Sequence, residues 1–93
     1  RVRVRLFGDV ATLAGQTEVA VDLAEGADLR GLLAAIDQAT DRSVSPSLLF
    51  DERTILPSIA MLVNGRNVLL GAGLQTPLCD GDRVVIMPLM EGG

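Results

Sequence analysis

The side chains that ordinarily carry out catalysis are almost missing from this chain. Its 93 residues include no histidine, lysine, tyrosine or tryptophan, and only one cysteine, Cys79. The usual general bases, nucleophiles and Schiff-base amines are therefore absent or stand alone. A zinc site needs several Cys or His ligands, and a P-loop or dinucleotide fingerprint needs glycines between a strand and a helix. Neither pattern occurs, and no loop carries the alternating acids of a calcium cage. No metal site, no bound cofactor and no self-contained enzyme are expected. What remains is the end of the sequence, where Pro88 is followed by Leu89, Met90, Glu91, Gly92 and Gly93. At about 3.5 Å per extended residue those five reach roughly 17 Å, enough to enter a partner's buried active site. Glycine at the last two positions removes the side chains that would block a narrow channel around a terminal carboxylate. Two glycines alone are weak evidence: at a usage of about 7% they end roughly one chain in two hundred by chance, and a frayed end or an appended scar would look the same.

The rest of the chain must then be the body that presents this tail. Ninety-three residues support one hydrophobic core, and the 48% of apolar residues argue for a packed domain that needs neither disulfides nor a structural metal. Cys79 has no internal partner and no charged-then-apolar leader precedes the first residues, which points to the cytosol. No apolar run approaches the length of a bilayer span, so no membrane is expected. The net charge of −4 with dispersed acids argues against nucleic acid, whose phosphates demand clustered cations. It suits a protein partner with a basic docking face, but equally any acidic domain that must stay dispersed.

The elements follow from periodicity. Val2, Val4 and Leu6 alternate with Arg1, Arg3 and Arg5, which predicts a strand with one buried face and arginines set singly on the wet one. Gly8 to Gln16 reads as a turn and Thr17 to Leu23 as the return strand of a hairpin. Asp28 can cap a helix to about Thr40, with Leu29, Leu32, Leu33 and Ile36 in one stripe and Gly31 either tolerated or marking close approach to a sheet. Residues 41–58 read as a connection holding one helical turn. Ile59 to Val63 is a strand, Asn64-Gly65 a tight hairpin turn, and Asn67 to Leu70 a short return strand. Gly71 to Pro77 is a loop, and Asp80-Gly81-Asp82 turns into the run Val84-Val85-Ile86-Met87, apolar on both faces as a central strand requires. Strand, strand, helix, strand, short strand, strand makes an α+β fold, a β-grasp mixed sheet packed on one main helix. The expected division is a domain over residues 1–88 and a flexible tail over 89–93. Cys79, beside Leu78, reads as a small packing residue more readily than as a redox group.

Val63-Asn64-Gly65, then Leu78-Cys79-Asp80-Gly81-Asp82-Arg83-Val84-Val85-Ile86-Met87-Pro88, then Gly92-Gly93 at the end, together resemble the ubiquitin-like sulfur carrier family, whose members include MoaD-, ThiS- and CysO-like proteins. The likeness covers essentially the whole chain. The segment from Val63 to Asn67 looks closer to the longer MoaD-like and CysO-like members, and Glu91 departs from the small or apolar residues usual before the glycines. The resemblance implies a carrier, not an enzyme, whose Gly93 carboxylate is the reacting group. A ubiquitin-activator-like adenylyltransferase and sulfurtransferase would use ATP to adenylate it and convert it to a thiocarboxylate. That sulfur would go to a sulfur-accepting biosynthetic enzyme making cysteine, molybdopterin or a thiolated metabolite. Leu89, Met90, Glu91 and Gly92 would be partner-binding residues. The alternatives are a ubiquitin-like modifier joined through Gly93 to lysines of other proteins, and a passive β-grasp interaction module.

Overall fold

The computed structural model describes residues 1–89. Strand β1, Val2–Leu6, buries Val2, Val4 and Leu6 and leaves Arg3 and Arg5 in solvent, as strict alternation requires. It pairs antiparallel with β2, Glu18–Val21, with Val4 opposite Val19 and Arg5 opposite Glu18. The segment between them is more than the expected turn. Gly8–Ala14 forms helix α1, which buries Val10 and Ala14 and stops at Gly15 in the left-handed region (φ 78°). No polar side chain caps its start, where Phe7 occupies the N-cap, so the usual sequence mark of a helix N-terminus is missing.

Helix α2, Leu29–Thr40, begins where Asp28 accepts a hydrogen bond from the Gly31 N–H at 3.0 Å. Its buried stripe is Leu29, Leu32, Leu33 and Ile36. A Cβ on Gly31 would come no nearer than 3.7 Å to the Asp28 carboxylate, so this glycine is tolerated and does not mark a close approach to the sheet. The connection that follows holds a 3-10 turn, Ser45–Ser47, as expected. It also holds an unexpected small hairpin of β3, Leu49–Asp51, and β4, Thr54–Ile55. The Asp37 carboxylate secures this lobe by accepting the Val44 and Ser45 N–H groups at 3.0 and 2.9 Å and the Ser45 hydroxyl.

Strand β5, Ile59–Val63, turns through Asn64 (φ 51°) and Gly65 (φ 85°) into β6, Arg66–Asn67. Both turn residues take the positive φ that the dipeptide predicts. Strand β6 is shorter than expected because the Asn67 side chain accepts the Leu69 N–H at 3.0 Å and starts a 3-10 turn, Val68–Leu70. A further 3-10 turn, Gly73–Gln75, lies within the expected loop. The last strand, β7, Arg83–Pro88, runs parallel to β1 and antiparallel to β5 in the order β2-β1-β7-β5-β6. It is the central strand that its two-sided apolar run predicts. The sheet grips α2 on one face, and Val4, Leu29, Leu32, Met61 and Ile86 are no more than 0% exposed at the centre of the core. This is the β-grasp architecture. Among the described residues no helix is long and apolar enough to cross a membrane.

Candidate functional site

The position of the tail's root is set by the strand that feeds it. Val84 and Ile86 face the helix at 1% and 0% exposure, while Val85 and Met87 are half-buried on the opposite face. Ladders on both sides hold the strand: Leu6 lies beside Ile86 in β1, and Met61, Ala60 and Ile59 lie opposite Ile86, Met87 and Pro88 in β5. A strand paired on two edges cannot shift register without losing both ladders and turning its apolar residues toward water. Beyond the strand the Phe7 N–H donates to the Ile86 carbonyl at 3.1 Å, and the Leu89 N–H donates to the Ser58 carbonyl at 2.8 Å. Leu89 is thus still fastened to the sheet through its backbone, with its side chain 51% exposed.

Helix α1 forms one wall of this end of the molecule. Asp9, Val10 and Leu13 from the helix, Ser47 and Leu48 from the 3-10 turn region, Ser58 and Ile59 from β5 and its approach, and Pro88 line a shallow groove of about 240 Å³. Phe7 and Leu13 are 46% and 37% exposed here. The helix was not legible from spacing alone, although Val10 and Ala14 four residues apart with Gly15 behind them were an available signal. Among its apolar walls the groove carries the Asp9 carboxylate and two serines, Ser47 and Ser58, so it offers a visiting protein both apolar contact and hydrogen-bonding partners.

Of the residues assigned a role in the tail, only Leu89 lies within the described residues. Met90, Glu91, Gly92 and Gly93 lie outside them. Cys79 departs from its expected packing role, because the thiol residue is exposed. Its N–H donates to the Asp82 carboxylate at 2.8 Å, inside the turn that leads into β7, and the residue is drawn out of the core by that turn. It sits before the opposite end of β7 from Pro88, which at about 3.3 Å per residue puts it more than roughly 17 Å from the tail's root. Among the described residues no three His, Cys, Asp or Glu side chains gather closely enough to hold a metal ion.

Comparison with known proteins follows this geometry across nearly the full chain. A family model described as the ThiS family matches residues 4–93. A protein of Archaeoglobus fulgidus that carries the provisional name sulfur carrier protein is 34% identical over 92 residues, covering 99% of this chain and 98% of that one. Small archaeal modifier protein 3 of Haloferax volcanii is 31% identical over 96 residues, with the same coverage of 99% and 98%. Among solved structures, that of Haloferax volcanii small archaeal modifier protein 1 superposes with a TM-score of 0.79 at 26% identity, covering 96% of this chain and 97% of that one.

Proposed function

We propose that this chain, which belongs to the ThiS family of ubiquitin-like sulfur carriers, works by carrying sulfur on the carboxylate of Gly93. The observation that supports this most directly is the end-to-end match to a relative named for sulfur carriage, joined to a Gly92-Gly93 terminus that follows the central strand after a short spacer. In the proposed sequence of steps a partner adenylating enzyme supplies the ATP. A carboxylate oxygen of Gly93 attacks its α-phosphate and pyrophosphate leaves. Sulfur at the sulfide level, brought by a donor, then attacks the carbonyl carbon, and AMP departs with the bonding pair. The product is a thiocarboxylate, anionic and soft at neutral pH, hence a far better nucleophile than the carboxylate it replaces.

The folded body is the handle in this reading. Recognition of the sheet and its flanking helices by an acceptor enzyme places the sulfur at high effective concentration beside its substrate, with no free sulfide released. The acceptor would be a biosynthetic enzyme that builds cysteine, molybdopterin or another thiolated metabolite, and the cytosol is the proposed setting. Leu89 and Met90 would seat against apolar walls of the channel, and Gly92 would let the backbone pass. The chain is consumed and regenerated as a co-substrate, and the catalysts are its partners.

A second reading is favoured by one particular relative, the one named as an archaeal modifier protein: the same adenylate would be captured by a lysine amine of another protein instead of by sulfur. One experiment separates the two. The chain is incubated with a ubiquitin-activator-type enzyme from the same genome, ATP and sulfide, and intact mass is measured. Exchange of one oxygen for sulfur, lost when Gly93 is deleted, supports the carrier. Adducts to other proteins in extract, lost on the same deletion, support the modifier. The carrier reading requires Gly93 to bear the free carboxylate, so a natural polypeptide that continues past residue 93 untrimmed overturns it.

A further inference from the structure

The Asn64-Gly65 turn takes no part in the sulfur chemistry proposed above, yet it holds both groups of a reaction that needs no enzyme. A backbone nitrogen can attack the carboxamide of the asparagine before it, and the attack is least hindered where the attacking residue has no side chain. Asn64 and Gly65 are both exposed, and a Cβ built on Gly65 would find nothing within 4 Å, so the nitrogen is unscreened. Among the described residues the Gly65 N–H donates to no carbonyl or side chain. The comparable dipeptides are shut. Asn67 precedes the buried, β-branched Val68, and its side-chain oxygen accepts the Leu69 N–H at 3.0 Å. In Asp80-Gly81 the Gly81 N–H is already donated to the Arg1 carbonyl at 2.8 Å, and a carboxylate is a poorer electrophile than a carboxamide.

The fold also supplies a latch. The Asn64 side-chain oxygen accepts the Arg83 N–H at 3.0 Å, its NH2 group donates to the Asp82 carboxylate at 3.0 Å, and the Asn64 N–H donates to the Arg83 carbonyl at 2.8 Å. The carboxamide is thus held at both ends against the start of β7, and swinging its carbon onto the Gly65 nitrogen requires both side-chain bonds to break. Strand β6, the far arm of this hairpin, is only Arg66–Asn67. A tip with so short a ladder opens by itself, without unfolding of the sheet.

We propose that Asn64 is a site of spontaneous deamidation latched by Asp82 and Arg83, and that its conversion records opening of the hairpin tip. Solvent base takes the Gly65 N–H proton, and the nitrogen bonds to the Asn64 side-chain carbonyl carbon. The side-chain nitrogen leaves with the bonding pair, gains a proton from water and departs as ammonia, and a cyclic imide remains. Water then opens the ring. Cleavage at the side-chain carbonyl gives an aspartyl residue, and cleavage at the main-chain carbonyl gives an isoaspartyl link that runs through the former side chain. The aspartyl product sets a carboxylate where the NH2 group faced Asp82, so attraction becomes repulsion at hydrogen-bond distance. The isoaspartyl product adds one atom to the main chain of the turn, which the register of Val63 with Arg66 and Leu62 with Asn67 does not accommodate. Either way the latch does not close again.

The test ages the full-length chain in mildly alkaline buffer and maps its peptides by mass spectrometry, with isoaspartate detected separately. Exchange of NH2 for OH is expected at residue 64 and not at residue 67, about tenfold slower in the folded chain than in concentrated guanidinium. Asp82→Ala removes the partner of the NH2 group and is expected to speed the conversion about fivefold, with folding checked by circular dichroism. A second arm uses the unaltered chain and so does not depend on that variant folding. Hydrogen exchange of the Asn64 and Arg83 amides reads opening of the tip, and the conversion rate should rise in step with it through a series of low guanidinium concentrations. Asn64→Asp, which has the composition of the aspartyl product, should lower the denaturation midpoint. No conversion at residue 64, equal rates in folded and unfolded chain, or a rate indifferent to opening overturns the proposal.

Discussion

Asn64 carries more of the structure than a turn residue usually does. Its backbone adopts φ 51°, and its main chain and both ends of its amide bond to Arg83 and Asp82. Asn64→Ala removes two side-chain hydrogen bonds and keeps the left-handed backbone, so a loss of about 2 kcal/mol is expected from these terms together. Asn64→Gly keeps the conformation at no steric cost and should recover part of that loss. Urea denaturation of the two variants separates the bonds from the backbone. Cys79 makes a contrasting case at the same scale. Its sulfur is accessible, but its distance from the root of the tail removes it from the proposed sulfur transfer, and Cys79→Ser should load sulfur on Gly93 at the unchanged rate in the intact-mass assay.

Among the elements, the small β3–β4 hairpin has the clearest dependence on pH. The Asp51 carboxylate accepts the Arg53 N–H at 2.8 Å, and this bond first, then the Thr54 hydroxyl, holds its pKa below the ordinary value of 3.8. A pKa depressed by folding means that the stabilising contribution is whole above the unfolded value and is lost as pH falls through the folded one. The hairpin should therefore be unaffected from neutral pH down to about pH 4 and loosen below it. A carbon-detected titration of the Asp51 carboxyl should give a midpoint under 3.8, and Asp51→Asn should abolish the acid-induced change in the Arg53 amide. Asp51 is exposed, so the effect is local and leaves the main sheet intact. Helix α1 belongs to this scale too. It adds Asp9, Val10 and Leu13 to the groove beside Pro88, so the expected simple turn would have left one wall of that groove unbuilt.

For the whole molecule, the decisive placement is β7 at the centre of the sheet. Ile86 is 0% exposed and lies between Leu6 of β1 and Met61 of β5. Ile86→Ala should cost about 2–5 kcal/mol, a large part of the 5–15 kcal/mol that holds a domain of this kind together. Ile86→Val should cost only about 0.5–1.5 kcal/mol, and chemical denaturation reads both. Because the strand whose side chains fill the core also leads to Leu89, loosening of the core should blur the position from which the tail leaves. The prediction is that Ile86→Ala lowers sulfur-loading efficiency even at temperatures where most molecules remain folded.

Several things were written in consecutive residues. The Val-Arg alternation of β1, the Leu stripe and Asp28 cap of α2, the Asn64-Gly65 turn and the two-sided apolar run of β7 are local patterns, set by the periods of strand and helix and by the φ that a turn demands. The resemblance to sulfur carriers rested on the same local segments and extended to the family itself. The sequence alone did not reveal α1, whose start has no polar cap, the β3–β4 hairpin, whose strands are too short to alternate, or the exposure of Cys79. It also concealed the meeting of Arg3 with Arg83, since those residues come from opposite ends of the chain and are joined only by register. Burial and cross-strand neighbours depend on how distant segments pair, and that pairing is settled by the shared core, where Val4, Met61 and Ile86 exclude water together.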